Sequence, residues 1–145
     1  LGSGLFSLDE LEQYGIDVAL ASDVGGGDSF SMFDVMNEAY KVAQLSGYAL
    51  SAYHAYYLAT RGAANALYLD DKIGSIEVGM EADLVVMDLS ATPVLDFRMK
   101  YAKDIEEQLF ILMTLGDDRA ASATYIAGDL VYSRNQETHI ELFHK

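Results

Sequence analysis

The chain has 145 residues, 51% of them hydrophobic, and a formal net charge of −14. Length and apolar share suffice for one domain with a sizeable core. The charge speaks against nucleic-acid phosphates and anionic membrane surfaces as partners, because both demand Lys and Arg. The absence of cysteine excludes a disulfide framework, thiolate metal sites and the zinc deaminases that carry Pro-Cys-x-x-Cys.

No stretch approaches the length of a membrane span, and no charged-then-apolar leader opens the chain, so a soluble cytoplasmic protein is expected. The chain opens at Leu1 without an initiator Met, which makes a piece of something longer the expectation.

Residues 16–22, Ile-Asp-Val-Ala-Leu-Ala-Ser, read as a strand buried on both faces, as in a parallel sheet. Asp23 and the glycines Gly25 to Gly27 end it. A helix begins after Ser31, with Asp34 at capping spacing, and Gly47 stops it. A second helix is predicted from Ser51 to Leu69, with small residues along one stripe. Beyond Asp70 the pattern changes to turns and β-branched residues, with a short buried strand at Leu84 to Met87. The only proline, Pro93, marks a loop after it. A third helix covers Asp104 to Leu115, with Glu107 at capping spacing and Gly116 beyond its end. A hairpin follows, with Gly128 and Asp129 at its turn. One parallel strand with helices around it cannot form a sheet, so the first half needs strands that this chain does not contain.

Asp23, past the end of the first predicted strand, is the main candidate for chemistry. A carboxylate there can bind a metal or move a proton, since that edge of an α/β barrel carries the active site. It can equally accept backbone N–H bonds from the glycine turn. A phosphate cradle at the glycines is a weak match: no Lys-Ser or Lys-Thr follows, and Asp23 and Asp28 flank the loop. His54, His139 and His144 form neither His-x-His nor the helical His-Glu-x-x-His. His54 reads as a packing or solvent-facing residue, and the other two as members of a polar tail. No Gly-x-Ser-x-Gly elbow is present. Asp117 and Asp118 read as a helix-end turn, and Tyr53, Tyr56 and Tyr57 as packing or interface residues.

Several stretches together resemble the C-terminal part of the amidohydrolase superfamily. "LATRGAANAL" and "DDKIGSIEVGMEADLVVMDL" carry its pattern at Thr60, Ala63, Ala64, Ile73-Gly74-Ser75, Gly79 and Glu81-Ala82-Asp83. "SDVGGGDSFSMFDVMNEAYKVAQL" and "LMTLGDDRAASATYIAGDLVY" are similar to the branch that deaminates guanine.

The resemblance implies an α/β fold: the C-terminal part of a (β/α)8 metal-dependent hydrolase barrel plus part of a β-sandwich. Residues 1–70 would hold the last barrel strand and helices. Residues 71–133 would hold the sandwich share with an inserted helix, and 134–145 a tail. It also implies one Zn2+ per subunit, with Asp23 as a metal ligand and catalytic proton acceptor. The remaining ligands and the substrate-binding residues would lie upstream, so this chain alone is not expected to hold zinc stoichiometrically or to be active. The implied partners are guanine as a small-molecule substrate, converted to xanthine and ammonia, and a second copy in a homodimer. Nucleic acid and membrane are not expected as partners. Two other readings are another amidohydrolase acting on a purine or triazine, and a non-catalytic assembly domain.

Overall fold

A computed structural model describes residues 4–135. Four helices come first: α1 (Leu8–Gln13), α2 (Met32–Leu45), α3 (Ala52–Ala59) and α4 (Arg61–Ala66). Strand β1 (Leu84–Met87), helices α5 (Pro93–Met99) and α6 (Ile105–Leu115), a 3-10 turn at Asp118–Ala120, and strands β2 (Ala121–Ile126) and β3 (Asp129–Ser133) follow. The strands form one antiparallel sheet in the order β1-β2-β3.

Most helix starts are set by local side chains. Ser31, Ser51, Thr92 and Asp104 each accept a hydrogen bond from the backbone N–H three residues on. Each satisfies one of the donors that a helix start leaves without a partner. At α6 the cap is reciprocal, since Glu107 reaches back to the N–H of Lys103 at 2.9 Å. At α2 the second half of the expected box is absent: Asp34 accepts from the Ser29 hydroxyl at 2.6 Å instead.

Two hydrophobic clusters hold these elements together. The first gathers Leu8, Met36, Ala43, Ala55, Leu58 and Met113 from α1, α2, α3 and α6, with Leu50 from the connection before α3. The second gathers Leu95, Ile111, Leu112 and Ala120, with Met87 and Leu89 packed against it from the sheet side. Helix α6 therefore serves both clusters, with Met113 facing one and Ile111 and Leu112 the other. Phe33 touches both and closes the seam.

Five expectations are corrected. Residues 16–22 form no strand. Leu20 donates its N–H to the Leu58 carbonyl at 3.0 Å, and Ile16 donates back to the Leu11 carbonyl at 3.0 Å. Val18, Leu20 and Ser22 are half-buried while Asp17, Ala19 and Ala21 are exposed, so the segment keeps the two-residue alternation of a strand on one face. It lacks a ladder because the described residues offer no strand beside it.

The single helix expected from Ser51 to Leu69 is two helices, broken at Thr60, whose backbone leaves the helical region at φ −132° and ψ −96°. The Thr60 hydroxyl donates to the Tyr56 carbonyl at 2.7 Å, a local bond that competes with the helix ladder. Pro93 starts α5 as its first residue, where a missing N–H costs nothing, and does not mark a loop. Strand β1 is not buried: Val85 and Val86 are 51% and 48% exposed. The hairpin turn falls at Ala127 and Gly128, with φ of +49° and +88°, one residue earlier than expected.

Two sequence blocks acquire a physical reason. In Glu81-Ala82-Asp83, the Asp83 carboxylate accepts the Ala127 N–H at 2.8 Å, and the Ala82 carbonyl accepts from Gly128 at 3.1 Å. The block thus fastens the hairpin turn to the start of β1. At Gly74, φ is +92°, and a Cβ there would lie 2.9 Å from the Ala64 Cβ and 3.1 Å from the Arg61 Cα. The loop can approach α4 only because this position carries no side chain.

Candidate functional site

Asp23 ends the segment that Leu20 anchors. Its backbone is left-handed, with φ of +43°, a conformation that Asp tolerates better than most residues. Its carbonyl accepts from the N–H groups of Gly26 and Gly27 at 2.9 and 2.6 Å. The turn is so tight that a Cβ on Gly27 would sit 2.2 Å from the Ser22 carbonyl oxygen, so this glycine is demanded by the backbone itself.

The alternative sequence reading had the Asp23 side chain accepting from the glycine turn. In the structure the carbonyl takes that part, and the carboxylate receives no hydrogen bond among the described residues. Asp23 is exposed, so the carboxylate is free for other chemistry. The same arrangement disposes of a phosphate cradle. The Gly26 and Gly27 N–H groups are already spent on Asp23, and Asp28 stands beside them.

The histidine positions differ in kind. His54 is bound into a polar cluster: its Nε2 lies 2.8 Å from Glu12 Oε1 and its Nδ1 3.1 Å from the Tyr48 hydroxyl. Both ring nitrogens are committed there, so His54 is neither a packing residue nor simply solvent-facing. Sequence reasoning missed the cluster because Glu12 is far from His54 along the chain, and only the docking of α1 on α3 joins them. His139 and His144 lie outside the described residues.

The other candidates have structural roles. Asp117 accepts from the Arg119 backbone N–H and side-chain Nε, both at 3.0 Å. The Arg119 hydrogen bond holds its carboxyl below the ordinary range. This is a turn and not a catalytic dyad. Tyr57 accepts a hydrogen bond from Asn65 at 3.0 Å, and Tyr53 is half exposed. Tyr56 packs against the first cluster, and burial raises the pKa of its hydroxyl, which has no partner among the described residues. Two surface grooves lie along α5 and α6, and Asp23 lines neither.

Among the described residues, no group of three or more His, Asp or Glu side chains could hold a metal ion. A zinc ion needs about four ligands. The donor set here amounts to one free carboxylate, so these residues do not form a zinc site by themselves.

Comparison with known proteins assigns the class. The amidohydrolase family model matches residues 1–131, and the chain belongs to that family. Its mixture of helices and strands is that of part of an amidohydrolase barrel domain. The chain is 51% identical over 135 residues to the guanine deaminase of Escherichia coli strain K12, covering 93% of this chain and 31% of that protein. A solved structure of E. coli guanine deaminase superposes with a TM-score of 0.88, at 51% identity, over 92% of this chain and 32% of that one. An adenosine deaminase from Xanthomonas campestris, solved with bound zinc, superposes with a TM-score of 0.71 at 28% identity, over 85% of this chain and 27% of that one. The chain thus spans about a third of the length of these relatives.

Proposed function

We propose that this segment belongs to a metal-dependent amidohydrolase that deaminates guanine to xanthine and ammonia. The observation that carries the reading is the 51% identity to a guanine deaminase across nearly the whole chain. Residues 1–70 are read as barrel and residues 71–133 as a share of the β-sandwich. Zinc is the proposed metal, supported by the zinc in the related adenosine deaminase. When bound, a zinc ion acidifies water and makes hydroxide available near neutral pH.

Asp23 has two parts in this proposal. Its carboxylate would supply one oxygen ligand to a metal whose other ligands would lie outside this chain. It would also accept a proton from water, because a carboxylate without other hydrogen bonds can take a proton and release it again. The 145 residues alone are then inactive, because they lack the other ligands and the substrate pocket. The proposal extends to a cytoplasmic homodimer serving purine breakdown.

The test uses the full-length protein carrying this segment. Asp23→Asn and Asp23→Ala should lower xanthine formation by about 10²-fold or more, the scale of a lost proton-transfer group. Metal content measured on the same samples should also fall. Near-normal turnover in either variant would defeat the assignment of Asp23. Turnover of adenosine derivatives or triazines with none of guanine would move the substrate to another branch of the family. No turnover of any of them would favour the assembly-domain reading.

A further inference from the structure

The polar cluster at the other end of α3 from the helix break has no part in the proposed chemistry. Tyr48 Oη lies 3.3 Å from Glu12 Oε2 and 3.1 Å from His54 Nδ1, while His54 Nε2 lies 2.8 Å from Glu12 Oε1. The three side chains close a ring. His54 and Glu12 are only 26% and 32% exposed, so water replaces these contacts incompletely.

Counting protons shows what the ring requires. A carboxylate only accepts, and a phenol carries one proton. Three contacts therefore need three protons: one on the phenol and one on each imidazole nitrogen. With a neutral His54, the Nε2–H serves Glu12, and the phenol must choose between Nδ1 and Glu12 Oε2. One contact is lost. With the imidazolium, Nε2–H donates to Glu12, Nδ1–H donates to Tyr48 Oη, and the phenol donates to Glu12 Oε2.

Burial and then the Glu12 charge hold the Tyr48 hydroxyl above its ordinary range, so the phenol keeps its proton. The other groups that face the ring agree with a cation at its centre. Asp9 on α1 adds negative charge beside Tyr48, and the Tyr57 ring on α3 lies 6.3 Å from the His54 ring.

The position of the ring matters for the chain. Glu12 is on α1, and the residues after α1 run through 16–22 to Asp23. Among the described residues, two polar attachments tie this stretch to α3: the ring at His54 and the Leu20 N–H on the Leu58 carbonyl, one helical turn further on. We propose that Glu12, Tyr48 and His54 form a proton-operated clasp that docks α1, and the segment leading to Asp23, on α3. The clasp is complete with the imidazolium and loses one contact with the neutral imidazole. This inference does not depend on the deaminase reading.

Hydrogen exchange on the full-length protein tests it. The peptide over residues 16–22, corrected for intrinsic exchange, should exchange about fivefold more slowly near pH ~5.5 than near pH ~8, the effect of one hydrogen bond across the imidazole titration. The peptide over residues 105–115 should show no such dependence. Glu12→Gln and His54→Gln should abolish the pH dependence, and Tyr48→Phe, which leaves the His54 contact with Glu12, should reduce it. Equal pH dependence in wild type and His54→Gln overturns the clasp, as does its absence from the wild type. Should the variants not fold, nitrogen NMR of the wild-type His54 ring decides: both nitrogens protonated near pH ~6 supports the clasp, and a single protonated nitrogen overturns it. None of these readouts uses guanine turnover, so failure of the clasp and failure of the deaminase assignment are separate results.

Discussion

Residues 16–22 and helix α3 press on the same hydrophobic cluster from two sides, and both are rich in apolar residues. One is a regular helix with its own cap, and the other has no regular structure. A helix closes its hydrogen bonds within one stretch of chain, so α3 forms from its own residues plus Ser51. A strand borrows its hydrogen bonds from a neighbour, and residues 16–22 find one distant acceptor among the described residues, the Leu58 carbonyl. The sheet shows the same contrast in milder form. Strands β1, β2 and β3 satisfy each other edge to edge, yet Val85, Val86, Leu130 and Val131 stay about half exposed. In this segment the helices carry most of the core, and the strands stay largely outside it.

Chemical denaturation of the 145-residue chain would break or sharpen this contrast. Leu95 is fully buried between α5 and α6, and Leu95→Ala should cost about 2–5 kcal/mol through lost packing and a residual cavity. Removing the α6 cap with Asp104→Ala should cost about 1 kcal/mol, since the Glu107 N–H loses its acceptor. On the bare sheet, Val86→Thr should change stability by less than about 0.5 kcal/mol. A cost at Val86 equal to that at Leu95 would show that the sheet face is buried, and the contrast would fail.

The smallest effect is a pH dependence confined to acid. The Arg134 guanidinium donates to Asp88 at 2.6 Å and holds its carboxyl below the ordinary carboxylate range. An unfolded chain protonates that carboxyl more readily. The contribution is therefore full above about pH 4 and lost as pH falls through the lowered value. Arg134→Ala should flatten this part of the stability profile, removing a small contribution at neutral pH and leaving stability below the lowered value almost unchanged.

What the sequence determined by itself is what depends on neighbours within a few residues. The caps at Ser31 and Asp104, the stop at Gly47, the span of α6, the turn at Asp117 and the hairpin are local hydrogen-bond chemistry, legible from residue type and spacing. The family was legible because motifs such as Glu-Ala-Asp are spaced as a particular tertiary contact requires. Asp23 was legible as a candidate, though not the fact that its carbonyl holds the glycine turn and leaves its carboxylate free. Tertiary structure alone decided the exposure of β1, the missing ladder at residues 16–22 and the meeting of Glu12, Tyr48 and His54. Each of these depends on which distant residue arrives as a partner, and a one-dimensional pattern holds no distances between residues far apart along it.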